Sequence, residues 1–285
     1  LNGQLIAQHK GGFTPFEADV TALLQPGETA LLTVACDNRV NHSTLPVGNE
    51  DGQLAFFGSD NAGIPSVEAA KRAAAPQNRP NFDFFNYAGI HRPVWLYTTP
   101  KEYIEDVTVV PAVDGTVQYA VKTTGSAPAH VTVLDADGNA VASAEGAEGT
   151  ITIPEVHLWE PRPGTPYLYT LHITCGADVY DQSFGVRSIE VRGTQVLLNG
   201  KPLYFKGFCK HEDFTAHGRG FDPVLNVKDV NLIHWANANA VRTSHYPYAE
   251  EFYDLCDREG ILVMDETPAV GIGGGAAVNP YKEYP

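Results

Sequence analysis

The clearest pattern in the chain is a series of short apolar or alternating runs between residues 100 and 188. The runs are YIEDVTVV, TVQYAVKTT, HVTVLDADGNAV, GTITIP and YLYTLHITCG. Turn-forming dipeptides, Asp114-Gly115 and Asp137-Gly138, lie between or within them. Short strands at regular spacing over about 90 residues predict a small immunoglobulin-like β-sandwich. We therefore assign residues 100–188 to one β-domain.

From residue 189 the hydrophobic pattern changes to one of alternating strands and helices. A hairpin is predicted around Asn199-Gly200 in VRGTQVLLNGKPLYFKGF, and LNVKDVNLIHWANANA has apolar positions at nearly helical spacing. The strand AVRTSH follows, then the helix YAEEFYDLCDRE, which Gly260 ends, and the apolar strand ILVMDE. This alternation predicts the opening of a (β/α)8 barrel, so we assign residues 189–285 to a truncated TIM-barrel domain.

The first 99 residues predict a further β-domain with a long insertion. ETALLTVACDN and VWLYTTP are typical of strands, whereas residues 41–83 are polar apart from one helix-like piece, SVEAAKRAAA. The chain opens on a hairpin turn at Asn2-Gly3, so we expect the first strands of this domain upstream of residue 1. The predicted fold class is therefore multidomain β plus α/β.

Composition and charge argue against several classes of protein. The net charge of −15 disfavours a nucleic-acid partner, because phosphates require a basic face. No apolar run reaches the roughly 18 residues of a membrane span, and no signal peptide opens the sequence, so we expect a cytoplasmic protein. The four cysteines are scattered, without a C-x-x-C motif. We therefore expect reduced thiols, no disulfide framework, no metal and no cofactor.

Polar residues crowd the positions where the predicted barrel strands end. The C-terminal ends of barrel strands face the active site, and here they carry His211, Glu212, Asp213, Arg242, Ser244, His245, Tyr246, Asp265 and Glu266. Acid chemistry on sugars needs two carboxylates that flank a bond, and spacing alone favours Glu212 with Asp265 or Glu266. The alternative is a buried hydrogen-bond network that closes the top of the barrel.

Two other kinds of site are disfavoured at these strand ends. Ser244 and His245 suggest a hydrolase triad, but no G-x-S-x-G motif surrounds the serine. His211 and His217 have side chains that bind metals, but no H-E-x-x-H helix or other ligand spacing accompanies them. We therefore expect neither a serine nucleophile nor a metal ion at this face.

Four blocks of the sequence carry a resemblance to a known family. They are GGFTPFEADVT (11–21), DFFNYAGIHRPVWLYTTP (83–100), HLWEPRPGTPYLYTL (157–171) and RTSHYPYAEEFYDLCDREGILVMDET (242–267). In this order they resemble β-glucuronidases of glycoside hydrolase family 2, and the match covers nearly the whole chain. The resemblance implies a jelly-roll-like sugar-binding domain over residues 1–99, followed by the immunoglobulin-like sandwich and the TIM barrel.

The resemblance also implies an activity. Members of this kind are retaining exo-hydrolases that release D-glucuronate and an aglycone alcohol from terminal β-D-glucuronides, using two catalytic glutamates. In the family the acid/base follows an asparagine near the end of barrel strand four, and the nucleophile lies on strand seven. We expect both beyond Pro285, since the sole Asn-Glu dipeptide, Asn49-Glu50, falls in the N-terminal insertion. The 285 residues alone are therefore predicted to be inactive.

Three matched positions are implied to contact the substrate or the nucleophile. Asp83 resembles the family's aspartate that accepts hydrogen bonds from sugar hydroxyls, and His245 resembles the histidine that binds the same sugar. Arg242 resembles the arginine that keeps the nucleophile ionised. The carboxylate pair favoured by spacing is then not catalytic. We expect His211, Glu212 and Asp265 to hold the substrate-binding residues in place without contacting the substrate.

Some alternatives stay open. The family's Asn-x-Lys motif, which binds the glucuronate carboxylate, is expected beyond Pro285, so a β-galactosidase, β-galacturonidase or β-mannosidase is not excluded. A carbohydrate-binding protein without turnover is the alternative outside the enzymes. The implied partners are small glucuronide conjugates or the terminal glucuronate of oligosaccharides, and a homotetramer is implied as the assembly. The Gly-rich loop after Gly271 either folds over the aglycone, as in gut-bacterial relatives, or is a plain connection.

Overall fold

The structure is a computed structural model and describes residues 1–40, 44–45 and 87–268. In the fully described stretch 104–184, seven strands form two antiparallel sheets, ordered β1-β2-β5 and β4-β3-β6-β7. The strands are β1 (Ile104–Pro111), β2 (Thr116–Thr123), β3 (Ala129–Leu134), β4 (Ala140–Glu145), β5 (Glu148–Thr152), β6 (Tyr169–Cys175) and β7 (Asp178–Phe184). The two sheets form the immunoglobulin-like sandwich that the sequence pattern predicts.

Side chains that alternate between two faces hold the sandwich together. Every second residue of β6, from Tyr169 to Cys175, is buried, as expected when one face of a sheet packs on a core. Burial of one large aliphatic side chain contributes roughly 1.5–3 kcal/mol, so the shared cluster is a major source of stability. Its members include Val117, Tyr119, Val121, Val131, Val133, Ile151, Leu171 and Ile173.

The following part of the chain contains one antiparallel and one parallel sheet. The antiparallel sheet, in the order β10-β9-β8, consists of β8 (Ile189–Arg192), β9 (Gln195–Leu198) and β10 (Lys201–Leu203). Asn199 and Gly200, with φ of +50° and +75°, connect β9 to β10 and confirm the predicted hairpin. The parallel sheet, in the order β11-β12-β13, consists of β11 (Gly207–Lys210), β12 (Ala240–Thr243) and β13 (Leu262–Met264).

Two α-helices of the described residues connect the parallel strands, α1 (Pro223–Trp235) and α2 (Glu250–Glu259). The carboxylate of Asp222 accepts hydrogen bonds from two backbone N–H groups of the first turn of α1, at 2.9 and 3.1 Å. Gly260 ends α2 with φ +70°, the left-handed conformation in which a residue without a Cβ is favoured. Both helix boundaries therefore follow from local sequence.

The N-terminal part departs from the sequence prediction. The strands predicted from ETALLTVACDN and VWLYTTP are wrong, because residues 28–38 and 94–100 form none in the structure. A strand is stabilised by a ladder of hydrogen bonds to a neighbouring strand. Among the described residues, the run 28–38 bonds to the N-terminal turn at Leu31 alone, where the Asn2 N–H donates to the Leu31 carbonyl at 2.9 Å, and no ladder forms along either run. Their apolar side chains accordingly stay exposed, with Leu31 at 70% and Trp95 at 77%.

Other expectations about this part have different outcomes. The turn at Asn2-Gly3 is confirmed, since the Gln4 N–H donates to the Leu1 carbonyl at 2.9 Å and both central residues have positive φ. Most of the predicted insertion, with SVEAAKRAAA and Asn49-Glu50, lies outside the described residues, as does the loop after Gly271. No helix in the described ranges is both long and apolar enough to cross a bilayer.

Trp159 joins the sandwich to the barrel segment. It is 1% exposed and packs with Ala240 and Leu262, the first residues of β12 and β13. Its indole N–H donates to the Asp257 carbonyl at 2.8 Å, near the end of α2. The sandwich therefore packs against the N-terminal ends of the barrel strands and leaves their C-terminal ends to other parts of the chain.

Candidate active site

The C-terminal ends of the three parallel strands meet at one edge of the sheet, where the sequence places its polar clusters. Arg242 lies at the centre of this edge, near the end of β12. Its Nε donates to Glu266 Oε1 at 2.7 Å, and its Nη2 donates to the same oxygen. Its Nη1 lies 3.6 Å from the Cys209 sulfur on β11. These hydrogen bonds, first to Cys209 and then to Glu266, raise the pKa of Arg242, so the guanidinium stays charged.

Glu266 links this arginine to the candidate sugar-binding histidine. Its Oε2 lies 2.9 Å from His245 Nδ1, and Arg242 Nη2 lies 3.5 Å from the same ring nitrogen. The His211 ring stands edge-on to the His245 ring, with centroids 5.2 Å apart. The peptide bond between Ser244 and His245 is cis. The structure thus brings together three sequence-predicted residues, with Glu266 as the common partner of two of them.

Asp265 has a different environment from its neighbour Glu266. Its Oδ1 accepts hydrogen bonds from Thr243 Oγ1 at 2.8 Å and from the Tyr253 hydroxyl at 2.6 Å. Burial, and then the hydrogen bond to Asp265, raise the pKa of Tyr253, which keeps the phenol protonated as a donor. Thr243 also accepts the backbone N–H of Glu266 at 3.0 Å. Asp265 therefore ties the ends of β12 and β13 to α2.

Glu212 supports the loop between β12 and α2. Its backbone N–H donates to the Tyr246 hydroxyl at 2.9 Å, and its Oε1 accepts the Ala249 N–H at 3.0 Å, at the start of α2. Its Oε2 lies 3.4 Å from Arg92 Nη2. The residue is 8% exposed. Both carboxylates of the pair favoured by spacing, Glu212 and Asp265, are thus engaged in bonds to the protein.

The N-terminal part contributes residues that sequence reasoning missed. Phe13 is 7% exposed and stacks on Tyr246, with ring centroids 4.8 Å apart and an interplanar angle of 18°. Arg92 donates to the Phe13 carbonyl at 2.9 Å and to the Pro247 carbonyl. A signal was available, because GIHRPVW places His91 and the charged Arg92 inside a mostly apolar run. The N-terminal part therefore contacts the strand-end face directly.

Tyr246 is enclosed by groups from both domains. Opposite charges surround it, since the Arg219 guanidinium carbon lies 4.4 Å from its ring centroid, and Arg219 Nε lies 3.4 Å from Asp213 Oδ1. Burial raises the pKa of Tyr246 to about 12, so it stays a neutral phenol. Arg219 also lies 5.7 Å from the Tyr87 ring centroid, on the chain segment that follows Asp83. Asp83 itself lies outside the described residues.

Ser244 and His217, the residues considered for a serine nucleophile and a metal site, have other environments in the structure. Ser244 is 1% exposed, and a hydroxyl buried to this extent offers no access to a substrate. His217 Nε2 lies 3.5 Å from Asp222, the residue that caps α1, and its ring lies beside Phe214. Among the described residues, no three His, Cys, Asp or Glu side chains stand close enough together to share a metal ion.

Three family models match consecutive parts of the chain. The models are "Glycosyl hydrolases family 2, sugar binding domain" over residues 1–100, "Glycosyl hydrolases family 2" over 101–187, and "Glycosyl hydrolases family 2, TIM barrel domain" over 189–284.

The chain belongs to glycosyl hydrolase family 2. Its predicted fold class is confirmed: a sugar-binding domain, an immunoglobulin-like sandwich and part of a TIM barrel. The three parallel strands are therefore strands of the family 2 barrel, and their C-terminal edge is the candidate active-site edge.

Similar family 2 proteins are β-glucuronidases. The solved structure of Faecalibacterium prausnitzii β-glucuronidase is 98% identical with a TM-score of 0.91, over 100% of this chain and 48% of that chain. Bifidobacterium dentium β-glucuronidase, solved with coumarin-3-O-glucuronide, is 48% identical with a TM-score of 0.83, over 95% and 48%. The Sus scrofa β-glucuronidase is 44% identical, over 95% and 43%. This chain thus spans less than half the length of these relatives.

Proposed function

We propose that the full-length protein is a retaining exo-glycosidase that hydrolyses terminal β-D-glucuronides to D-glucuronate and an aglycone alcohol. The observation that carries the proposal is the arrangement at the strand ends, where Arg242 and His245 share the carboxylate of Glu266. The similarity to β-glucuronidases, one of them solved with a glucuronide, supports the substrate class. The two catalytic glutamates belong to the part of the protein beyond Pro285.

In this proposal His245 binds a hydroxyl of the sugar. Its Nδ1 lies 2.9 Å from Glu266, and this contact orients the imidazole ring. Arg242 provides a fixed positive charge beside the nucleophile. An arginine has five N–H donors, so it can bind Glu266 and a second carboxylate together. An opposite charge within a few ångströms lowers the pKa of a carboxylate, which keeps a nucleophilic glutamate ionised.

Asp83 is proposed to bind the same sugar from the N-terminal domain. The support comes from the residues that follow it in the chain. Tyr87 lies beside Arg219, and Arg92 bonds to the Pro247 carbonyl, so the described part of this segment lies on the barrel face. An ionised aspartate is an acceptor only, which suits the hydroxyl donors of a sugar.

The test is kinetic and uses the full-length protein with Asp83→Ala, His245→Ala and the exposed control Asp106→Ala on β1. A lost hydrogen bond to a charged partner is worth roughly 1.5–3 kcal/mol, so kcat/KM on an aryl β-glucuronide should fall about tenfold to a few hundredfold at either site residue. The double variant should depart from the simple sum, because both groups bind one ring. The control should behave as wild type.

Two outcomes would reject the proposal. Faster turnover of the matched β-galactoside, β-galacturonide or β-mannoside would assign a different sugar, and binding without turnover would indicate a carbohydrate-binding protein. Proton NMR of the first product settles the stereochemistry, since a retaining enzyme releases the β-anomer first. Unchanged kcat/KM in Asp83→Ala would remove the cross-domain contact.

A further inference from the structure

One arginine connects the N-terminal domain to the loop that carries His245. Arg92 Nη1 donates to the Phe13 carbonyl at 2.9 Å, so the side chain is anchored within its own domain. Its Nη2 donates to the Pro247 carbonyl, two residues after His245, and lies 3.4 Å from Glu212 Oε2. The three acceptors are 79, 155 and 120 residues away in the sequence. The guanidinium therefore links three separate segments at one point.

Glu212 continues this link into the same loop. Its backbone N–H donates to the Tyr246 hydroxyl, and its Oε1 accepts the Ala249 N–H. Tyr246, Pro247 and Ala249 are thus each bonded to Arg92 or to Glu212. The Tyr246 ring also stacks on Phe13, whose carbonyl Arg92 binds. The loop between β12 and α2 is therefore held by the N-terminal domain on one side and by Glu212 on the other.

We propose that Arg92 is a positioning residue for the reaction, which places His245 by holding the loop of residues 244–249 from the N-terminal domain. The inference rests on the proposed function, because that function assigns His245 to the sugar. His245 is then fixed twice, by Glu266 through Nδ1 and by the Arg92 contact at Pro247. A displacement of about 1 Å in a positioned group costs up to about 100-fold in rate, so a loosened loop would lower activity.

The chemistry of the contact requires a guanidinium. Arginine presents several N–H donors in a planar fork, whereas the lysine ammonium is a compact point charge. The two carbonyls and the carboxylate around Arg92 are reached from two different nitrogens of that fork. Arg92→Lys should therefore keep the charge but lose part of the geometry, and Arg92→Ala should lose both.

The experiment compares Arg92→Ala and Arg92→Lys with Arg162→Ala in the full-length protein. Arg162 is a matched control, because it also bonds between domains, donating to the Glu259 carbonyl at 3.1 Å and to its carboxylate at 3.2 Å, away from the strand ends. We expect kcat/KM on an aryl β-glucuronide to fall about 10- to 100-fold in Arg92→Ala and less in Arg92→Lys. The control should stay within about threefold of wild type.

Two further readouts separate positioning from a general loss of stability. Low concentrations of guanidinium should partly restore kcat/KM in Arg92→Ala and leave the control unchanged, since the added cation replaces the missing group. Amide hydrogen exchange over residues 246–249 should become faster in Arg92→Ala but not in Arg162→Ala, because the Ala249 N–H depends on Glu212.

The inference fails if Arg92→Ala and Arg92→Lys both keep kcat/KM within about threefold of wild type, or if the control loses as much. Should Arg92→Ala not fold, the lysine variant decides the question by the same kinetic criterion. Failure of the proposed function is a separate result, because it appears as absent glucuronide turnover in the wild-type protein. In that case the exchange of residues 246–249 shows whether the loop is held, and unchanged exchange overturns the positioning role.

Discussion

At the scale of single residues, His91 shows how the contact between domains sets the charge of a side chain. It lies beside Phe13, with ring centroids 5.8 Å apart, and its carbonyl accepts the Phe221 N–H at 2.9 Å. Burial, and then the nearby cations Arg92 and Arg219, lower the pKa of His91 to about 4. The imidazole is therefore neutral near pH 7. A protonated ring would carry a positive charge beside two positively charged arginines and would be repelled by them.

This residue predicts a pH dependence of stability. The pKa of His91 in the folded state lies below the value of about 6.5 expected in the unfolded chain, so the unfolded state takes up a proton first as the pH falls. The stability from the neutral form is fully present above about pH 6.5 and is lost progressively toward about pH 4. We expect the Tm advantage of wild type over His91→Gln to shrink between about pH 7.5 and about pH 5 in calorimetry. A constant difference would contradict this account.

At the scale of elements, the end of α2 combines a backbone requirement with a packing requirement. Gly260 has φ +70°, and a Cβ added there would meet Arg162 N at 3.0 Å and Pro166 Cβ at 3.2 Å. Gly200, at the β9–β10 turn, has φ +75° with nothing within 4 Å of such a Cβ. The two glycines therefore share the backbone conformation and differ in whether the sandwich packs against them.

The pair allows the two costs to be measured separately. Gly200→Ala should lower the free energy of unfolding by about 1 kcal/mol, since only the left-handed backbone disfavours a side chain there. Gly260→Ala should lower the free energy of unfolding by about 2–4 kcal/mol, because the Arg162 backbone must also move. Denaturant unfolding of both variants measures the difference. Equal losses of unfolding free energy would mean that the loop carrying Arg162 and Pro166 moves aside without a loss of stability.

At the scale of the whole molecule, the barrel segment is supported from two directions. The sandwich packs on the strand starts through Trp159, which also has the Arg187 guanidinium 5.0 Å from its ring centroid. The N-terminal domain packs on the strand ends through Phe13 and Arg92. The strand-end cluster therefore lies between supports that come from distant parts of the chain.

Substitution of Trp159 should show whether packing by the sandwich stabilises α2 as well as the strand starts. Trp159→Phe removes the indole donor to the Asp257 carbonyl and reduces packing on β12 and β13, so amide exchange should rise around the end of α2 as well as in the sandwich. Tyr169→Phe is the control, because it removes one hydroxyl, which accepts the His157 N–H within the sandwich. Equal amide exchange at α2 in the two variants would argue against stabilisation of α2 by the sandwich through Trp159.

The amino-acid sequence by itself determined the features that depend on neighbouring residues. The period of two along β6, the turn at Asn199-Gly200 and the helix end at Gly260 each follow from a few consecutive side chains. The order of strands and helices after residue 189 likewise placed Arg242 and His245 at the C-terminal edge of a parallel sheet.

Only the tertiary structure decided the partners of these residues. Glu266 bridges Arg242 and His245 across 24 and 21 residues, and Arg92 reaches Pro247 across 155. The hydrophobic pattern of neighbouring residues does not predict contacts across such sequence separations, since these contacts depend on how separate domains pack. The same reason explains the two wrong strands. A run such as ETALLTVACDN has strand propensity, but a strand also needs a ladder of hydrogen bonds to a neighbour, and none forms along it in the part of the chain that the structure describes.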